Sequence, residues 1–382
     1  MAQWNRVPLI DYIELIGGGT PKTTVPEYWN GNIPWLSVKD FNNDKRYVYS
    51  TEKHISQSGF ENSPTKMLHK DDIIISARGT VGEIAMIPFD MAFNQSCYGI
   101  RASRGIDKPF LYYLLKNCIS QLKRMTHGSV FDTITRDTFA NIEVDIPDAE
   151  TQKRISSVLA DIDNKIEVND AINDNLQQQA ATLFKALFVD YAPFDGTMPP
   201  NWTISTLGDV TEMGAGGDKP KESSPVKTPL CPYPIYSNGI NDYGLYGYTN
   251  EPKIKVESIT VSARGTIGYV CLRHIPYVPI VRLVTLIPDT KVLSAKYLYL
   301  YLRQLHITGT GTTQQQLTVP DFRKTEIVIP DKNTMDAFTE TVTPLFEQIW
   351  ANEDENTKLA EVRDALLPKL MSGEIDVSAV QL

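Results

Sequence analysis

The stretch that decides the fold runs from Thr151 to Asp190 and reads TQKRISSVLADIDNKIEVNDAINDNLQQQAATLFKALFVD, with neither proline nor glycine. Its apolar residues recur at alternating steps of four and three, the heptad spacing of helices that pack side by side. This predicts one helix over residues 151–191 with a seam about 50 Å long, at ~1.5 Å per residue. The seam comprises Ile155, Leu159, Ile162, Ile166, Leu176, Ala180, Leu183 and Leu187, with Asn169 and Asn173 in its two middle positions.

A second seam lies near the C-terminus, and each of its residues follows its counterpart by 183 positions, as Phe338 follows Ile155. Its members are Phe338, Val342, Leu345, Ile349, Asn352, Asn356, Leu359, Arg363, Leu366 and Leu370. Two such seams favour a coiled coil over two solvated surface helices. An antiparallel pair places Asn169 opposite Asn356 and Asn173 opposite Asn352, and buried asparagines of this kind fix the register of a coiled coil at a cost in stability. Pro344 is expected to kink or restart the second helix.

The segments before the two helices also repeat each other. SARGTVG at 76–82 recurs as SARGTIG at 262–268, and each copy follows a short β-branched run. We therefore predict two similar α/β (α+β) globules separated by two long antiparallel helices, with approximate two-fold symmetry. The predicted boundaries are 1–150 for the first globule, 151–191 for the central helix, 192–332 for the second globule, and 333–382 for the C-terminal helix and tail.

Composition and charge narrow the class of protein. The 382 residues are 42% hydrophobic without a long apolar run or a signal pattern, so we expect a cytoplasmic protein without a membrane association. The four cysteines are widely spaced, which indicates neither a zinc site nor disulfides. The net charge is −9, and the surplus of acidic groups lies in the two helical segments. The acidic helices are therefore poor candidates for contacting phosphate and better suited to protein partners.

Motifs for catalysis are weak. The loop from Gly17 to Lys22 lacks the Gly-Lys-Ser/Thr of a phosphate-binding loop, and Pro21 removes a backbone donor. Asp242, Glu251 and Lys253 have the outline of a metal-dependent nuclease site, but Pro252 interrupts the strand that such a site needs, and a solvated loop is the better interpretation. We predict no catalytic residue, metal site or cofactor in this chain.

The polar loops suit recognition of a nucleic acid. Arg78 and Arg264 each follow a strand on a glycine-rich turn, where a guanidinium can read guanine O6 and N7 or bind a phosphate. The competing interpretation is an arginine that pairs with a carboxylate to fix the turn, and Trp35 and Tyr236 are equally compatible with a core position. The predicted DNA-binding residues are Thr20, Lys22, Trp35, Ser37, Arg78, Thr80, Lys219, Lys221, Tyr236, Ser237, Asn238, Arg264, Thr266, Gln314 and Gln315.

Three stretches resemble the DNA-specificity subunit of type I restriction-modification systems. TPK at 20–22 through EYWNGNIPWL at 27–36 resembles the opening of one type of recognition domain in that family. The doubled Ala-Arg-Gly-Thr-Val/Ile-Gly follows in both halves, and LLPKLMSG at 366–373 resembles the usual end. The resemblance covers essentially the whole chain, although the second globule lacks the YWNG run of the first.

The resemblance implies a non-catalytic subunit with two target-recognition domains, each reading a few base pairs of a split, asymmetric double-stranded DNA site. It also implies two modification subunits that bind S-adenosylmethionine and methylate adenine, and restriction subunits driven by ATP with Mg²⁺. Two alternatives stay open at this point: a coiled-coil adaptor without a DNA role, and a nuclease that acts alone.

Overall fold

The structure is a computed structural model that describes residues 4–126, 133–309 and 316–380. The chain forms two compact units. Unit 1 contains Met1–Asp170 with Glu353–Leu382, and unit 2 contains Ala171–Asn352. Each unit therefore combines one globule with part of each long helix.

The globule of unit 1 is built from ten short strands and four helices. The strands are β1 (Asn5–Pro8), β2 (Ile13–Gly17), β3 (Trp29–Leu36), β4 (Lys53–Ile55), β5 (Met67–Leu68), β6 (Ile73–Ser76), β7 (Ile84–Met86), β8 (Met91–Phe93), β9 (Cys97–Ala102) and β10 (Glu143–Ile146). The helices are α1 (Val38–Phe41), α2 (Gln57–Glu61), α3 (Lys108–Thr126) and α4 (Arg136–Ala140), with 3-10 turns at Leu9–Tyr12 and Pro26–Tyr28.

These strands form three small sheets. One has the order β2-β9-β6-β7 and is antiparallel, and the second has the order β4-β3-β8-β5 with β3 and β8 parallel. The third pairs only β1 with β10, with Asn5 opposite Ile146. The apolar face of the first sheet packs against α3 around Ile73, Phe110 and Leu114, which gives the unit its main core.

The central helix α5 (Ala149–Phe188) follows directly and confirms the long helix that the seam predicts. Its start is capped by Asp148, whose carboxylate accepts hydrogen bonds from the backbone N–H and the hydroxyl of Thr151, both at 2.9 Å. These hydrogen bonds hold the pKa of the Asp148 carboxyl below its ordinary value. The helix ends before Tyr191, which has a left-handed backbone, and Pro193 follows.

The globule of unit 2 repeats this plan. Its strands are β11 (Thr203–Thr206), β12 (Thr211–Ala215), β13 (Ser223–Ser224), β14 (Tyr233–Tyr236), β15 (Leu245–Thr249), β16 (Ser258–Val261), β17 (Val270–Arg273), β18 (Val278–Pro279), β19 (Val284–Pro288) and β20 (Glu326–Ile329). Its helices are α6 (Leu207–Val210), α7 (Ala295–Gln304) and α8 (Val319–Phe322), with 3-10 turns at Ala192–Phe194 and Asn241–Gly244.

The sheet topology confirms the mixed α and β class and the internal repeat. The order β12-β19-β16-β17 matches β2-β9-β6-β7, the β11–β20 pair matches β1–β10, and β14 runs parallel to β18 as β3 does to β8. The remaining sheet differs at its edges: β15 corresponds to β4, but among the described residues β13 has no counterpart in unit 1 and β5 has none in unit 2.

The last helix, α9 (Lys332–Met371), continues through Pro344 without a break, so the predicted kink or restart there is wrong. Pro344 is exposed, and the carbonyl of Glu340 that loses its N–H partner lies on an exposed residue, where water can satisfy it. The cap repeats that of α5, since Asp331 accepts from the N–H and the hydroxyl of Thr334 at 3.2 and 2.7 Å.

The asparagines come together as pairs within each unit. In unit 1, the Asn169 Nδ2 donates to Asn356 Oδ1 at 2.9 Å. In unit 2, the Asn352 Nδ2 donates to Asn173 Oδ1 at 2.8 Å. Within each unit, residue numbers rise along α5 as those of their partners on α9 fall, so the two helices run antiparallel.

The buried stripe on the helices departs from the predicted seam. On α5, Phe184 and Phe188 are buried and Leu183 and Leu187 only half-buried, and Asp163 is buried in place of Ile162. The reason is that each helix packs against its globule as well as against the other helix, which shifts the buried face beyond the heptad seam.

The helix-to-globule junctions of the two units have different chemistry. In unit 1 the buried Arg363 on α9 donates to Asp163 on α5 at 3.0 Å and to Asp44 of the globule at 2.8 Å. In unit 2 the junction is aromatic, with the Phe188 ring centroid 4.9 Å from those of Tyr297 and Phe338. Each globule is thus attached to the helices by its own set of contacts.

Candidate nucleic-acid interface

The two arginine loops have the same backbone. They connect β6 to β7 and β16 to β17. In the first, Gly82 N–H donates to Ser76 O at 3.0 Å and Ser76 N–H donates to Glu83 O at 2.9 Å; in the second, Gly268 N–H donates to Ser262 O at 3.0 Å. The loops need their glycines, because Gly79 and Gly265 have φ of +78° and +68°.

Both loops present their central side chains to solvent. Arg78 and Thr80 are exposed in unit 1, and Arg264 and Thr266 are exposed in unit 2. The Ala77 carbonyl accepts from the Ile134 N–H at 3.0 Å, and the Ala263 carbonyl accepts from the Leu317 N–H at 3.1 Å. The backbone of each loop is therefore fixed while its guanidinium is available to a ligand.

The surroundings of the two arginines differ. Arg264 donates through Nε and Nη2 to Gln316 Oε1 at 3.1 and 2.9 Å. The Arg78 guanidinium has no hydrogen bond or ion pair within residues 4–126, 133–309 and 316–380. Over these same ranges, neither arginine pairs with a carboxylate, which was the competing architectural interpretation. Gln314 and Gln315 lie outside the described residues.

The glycine-rich loop that follows β2 contacts the end of β8, and its counterpart after β12 contacts the turn after β18. Gly19 N–H donates to Phe93 O at 3.0 Å, and Gly216 N–H donates to Leu283 O at 2.8 Å. Lys22, Lys219 and Lys221 are exposed, and the Lys219 Nζ lies 5.1 Å from the centroid of the Tyr246 ring. Thr20 donates its hydroxyl to Gln95 Oε1. These ammonium groups can bind phosphate, a contact that positions a protein on DNA without reading sequence.

Two aromatic residues of the predicted set are held within the units. Trp35 is only 6% exposed, its Nε1 donates to Gly19 O at 3.1 Å, and its ring packs edge-on against Trp29. Tyr236 lies under the Arg273 guanidinium, which is 3.6 Å from the ring centroid, and burial raises the pKa of its hydroxyl. Trp35 therefore has little surface left for stacking on a base, and the Arg273 guanidinium covers one face of Tyr236.

Three polar residues of the predicted set are engaged in internal hydrogen bonds. Ser37 caps α1, with its N–H and its hydroxyl donating to Asp40 Oδ2 at 2.7 and 2.9 Å. Ser237 N–H donates to Gly244 O at 2.8 Å. Asn238 accepts from the Ala263 N–H at 2.7 Å and donates to Val281 O at 2.6 Å. Asn238 therefore braces the arginine loop, and this leaves little of its amide for a base.

The sequence prediction missed one element that the structure adds to each cluster. The turn after β8 exposes Gln95, and the turn after β18 exposes Val281 and Arg282. Ser96 O accepts from the Ala77 N–H at 2.8 Å, so this turn contacts the arginine loop directly. An alignment of the two repeats by their strands would have indicated these residues, because β8 and β18 are equivalent strands and the two turns follow them directly.

The described residues offer no support for a metal site or a membrane-spanning helix. Across residues 4–126, 133–309 and 316–380, there is no group of three or more His, Cys, Asp or Glu side chains placed to hold a metal ion. Within the same part of the chain, no helix has the length and apolar character needed to cross a membrane.

Comparisons with known proteins agree with this geometry. The chain is 28% identical to the type I restriction enzyme MjaIX specificity subunit of Methanocaldococcus jannaschii, over 98% of this chain and 94% of that protein. It is 26% identical to the HindI specificity subunit of Haemophilus influenzae, over 70% of this chain and 77% of that protein. The crystal structure of a type I restriction-modification S subunit from M. genitalium has the same fold, with a TM-score of 0.58 and 16% identity over 97% of this chain and 96% of that one. Because the family model described as the type I restriction modification DNA specificity domain matches residues 1–178 and 199–361, this chain belongs to that family and is a specificity subunit rather than a catalytic one.

Proposed function

We propose that this chain reads a bipartite, asymmetric site on double-stranded DNA and positions modification and restriction subunits there. The observation that carries the proposal is the exposed Arg78 and Arg264 on loops of the same backbone in the two units. A scaffold without a DNA role has no need of two such loops. Gln316 lies beside Arg264, and the edge strands differ, with β5 in unit 1 and β13 in unit 2; these differences between the two surfaces support two different half-sites.

The proposal assigns the chemistry to partner subunits. Two modification subunits would bind S-adenosylmethionine and methylate adenine, and restriction subunits would use ATP and Mg²⁺. The chain itself would hold no cofactor and would act in the cytoplasm. Mapping methylated adenines in the host genome tests the function: an interrupted, asymmetric motif should disappear when this gene is deleted. Methylation that survives deletion, or cleavage of DNA by the purified chain alone with Mg²⁺, would contradict it.

Replacing either loop arginine with alanine should weaken DNA binding, and the two effects should be independent. A bidentate contact to a base contributes about 1–3 kcal/mol, so each variant should lose roughly 5- to 150-fold in affinity. Fluorescence anisotropy with a duplex that contains the mapped site measures this. Arg6→Ala is the matched control, because Arg6 is exposed but pairs with Glu143 on the β1–β10 sheet. Unchanged affinity in folded Arg78→Ala and Arg264→Ala would favour an architectural role for both arginines.

The outer face of α9 is the best candidate for a protein partner. Glu340, Glu347, Asp354 and Glu361 are exposed and recur every seventh residue, so they form one acidic stripe along the helix. Such a stripe repels DNA and is complementary to a basic protein surface. Glu355 lies off the stripe and is engaged internally, with its Oε2 accepting from Asn169 Nδ2 at 2.7 Å.

Changing Glu347, Asp354 and Glu361 together to lysine should reduce association with the modification subunit more than DNA binding by the isolated chain. The Gln, Asn, Gln triple variant at the same positions is the matched control and should show a smaller loss, because it removes the attraction without adding repulsion. Pull-down and DNA titration on the same preparations compare the two activities. A larger loss of DNA binding than of subunit association would contradict the assignment.

A further inference from the structure

The turn that follows the parallel-paired strand occupies the same place in both units but has an inverted backbone. It is closed by Cys97 N–H donating to Asn94 O at 3.4 Å in unit 1, and by Leu283 N–H donating to Ile280 O at 3.0 Å in unit 2. In unit 2 its two central residues, Val281 and Arg282, have φ of +52° and +60°. Gln95 and Ser96 are not among the residues with positive φ. A β-branched residue in the left-handed region is strained, and such strain tends to occur at functional sites.

The inverted turn is connected to the arginine loop by a side-chain amide, where unit 1 uses a backbone carbonyl. In unit 1, Ser96 O accepts from the N–H groups of Ala77 and Arg78 at 2.8 and 3.2 Å, so the turn itself holds the arginine loop. In unit 2 the Asn238 amide takes over, bonding to the Ala263 N–H on one side and the Val281 carbonyl on the other. The strand register makes Val38 the equivalent of Asn238 in unit 1, and a valine side chain cannot form such a connection.

Further hydrogen bonds fix the backbone of the inverted turn and leave its side chains exposed. The N–H groups of Val281 and Arg282 donate to Gly217 O and Gly216 O, both at 2.9 Å. The Arg282 side chain is exposed, and its guanidinium has no hydrogen bond or ion pair within the part of the chain that the structure describes. The Arg282 guanidinium thus lies on a rigid turn that is connected to the loop carrying Arg264. Such a guanidinium is suited to binding a base or a phosphate.

In unit 1 the exposed polar side chain of this turn has different chemistry and lies one position earlier, because Gln95 is in register with Val281 and Ser96 with Arg282. Gln95 is exposed, and its Oε1 accepts the Thr20 hydroxyl, which orients the amide. Within the described ranges of the chain, the second lone pair of that oxygen and both hydrogens of the amide nitrogen have no partner. An acceptor beside a donor in one plane is the pattern that pairs with N6 and N7 of adenine, whereas a guanidinium pairs with O6 and N7 of guanine.

We propose that this turn is a second base-reading element in each unit, with Gln95 reading an adenine in one half-site and Arg282 reading a guanine in the other. Thr20 acts as a positioning residue for Gln95, and Asn238 positions the turn that carries Arg282. The inference rests on the proposed function and adds to it the residues and base identities that make the two half-sites different.

The test uses the full chain assembled with the modification subunits of its own system in a host without other adenine methylation. Methylome sequencing then gives the base preference at every position of both half-sites. Gln95→Ala should reduce discrimination at one position of one half-site roughly ten- to hundred-fold, and Thr20→Val should relax the same position to a lesser extent. Arg282→Ala should relax one position of the other half-site only. Lys332→Ala is the control, since Lys332 is exposed at the start of α9 and pairs with Asp336.

Two outcomes would overturn the inference while the proposed function stands. One is an interrupted motif that stays unchanged in all three variants. The other is uniform weakening at every sequence with a reduced salt dependence, which is the signature of a phosphate contact. If the wild-type assembly itself shows no sequence-specific methylation, the proposed function fails first, and this inference fails with it.

Discussion

Replacing Arg363 with methionine should lower the free energy of unfolding of unit 1 by about 3–5 kcal/mol, because it leaves a carboxylate buried without its partner. Asp163 is 4% exposed, accepts from Arg363 Nη1 at 3.0 Å and accepts from the Tyr113 hydroxyl at 2.6 Å. Burial opposes the charge of Arg363, yet Asp364, Asp44 and Asp163 together raise its pKa above the ordinary value. Denaturant titration followed by circular dichroism and tryptophan fluorescence measures the loss.

A double variant distinguishes the contribution of the ion pair itself from the cost of leaving Asp163 buried without its partner. Arg363→Met with Asp163→Leu should recover part of the lost stability, since an apolar pair of similar volume can replace a buried ion pair, but the buried Tyr113 hydroxyl then loses its acceptor. Arg6→Ala is the matched surface control within unit 1, because Arg6 forms an exposed ion pair with Glu143, and it should change stability by less than about 1 kcal/mol. A single variant that costs no more than this control would show that the cluster is not coupled to folding.

Inserting one heptad into each long helix should change the DNA site that the assembly methylates. The insertions belong between Asp170 and Ala171 and between Asn352 and Glu353, because each asparagine pair then keeps its partner within its own unit. Seven residues lengthen a helix by about 10 Å, which corresponds to about 3 base pairs at ~3.4 Å of rise each. If the helical pair acts as a spacer between two reading units, the original site should be lost.

The lengthened chain should accept a site with the same two half-sequences and a longer gap, but more weakly. About 3 base pairs also rotate the groove by roughly 100°, given ~10 to 10.5 base pairs per turn. A heptad that preserves the seam rotates the helix surface much less. Twisting of the DNA or bending of the helical pair must accommodate this difference in rotation. Methylome mapping decides the outcome, and an unchanged gap at full methylation would refute the spacer role. A heptad in α5 alone is the control, since it misaligns the asparagine pairs and should abolish methylation altogether.

The long helices could be predicted from the sequence because their signals are local. Absence of proline and glycine, a heptad period and a repeat at a constant offset together led to α5 and α9, and they brought Asn169 opposite Asn356 and Asn173 opposite Asn352. Pro344 misled the prediction because a proline penalty depends on whether water can reach the freed carbonyl, which the sequence does not show. The burial of Asp163 was equally hidden, whereas Arg363 was predicted as a seam residue without its partners, since a charge enters a core only where the fold supplies a partner.

Residues of the candidate interface could be predicted where a motif repeats in the sequence. They could not be predicted where packing alone determines whether a side chain points inward or outward. Arg78 and Arg264 stand out in the sequence as two copies of one loop. Trp35 and Asn238 resemble binding residues by type, but their hydrogen bonds are directed inward. Val281 and Arg282 lack the glycine or asparagine that normally indicates a left-handed turn, so no local rule points to the inversion that makes this turn different from its counterpart.

The pairing of β1 with β10, and of β11 with β20, has a consequence for how such chains diversify. Asn5 lies opposite Ile146 and Thr203 lies opposite Ile329, so the polypeptide enters and leaves each globule at adjacent points on one two-stranded ribbon. A foreign globule with the same ribbon could be spliced in as a cassette through two junctions at a single location. In unit 1 the incoming globule should also supply a carboxylate at the place of Asp44, because Arg363 on α9 donates to Asp44 across this junction, while its pair with Asp163 stays within the helices.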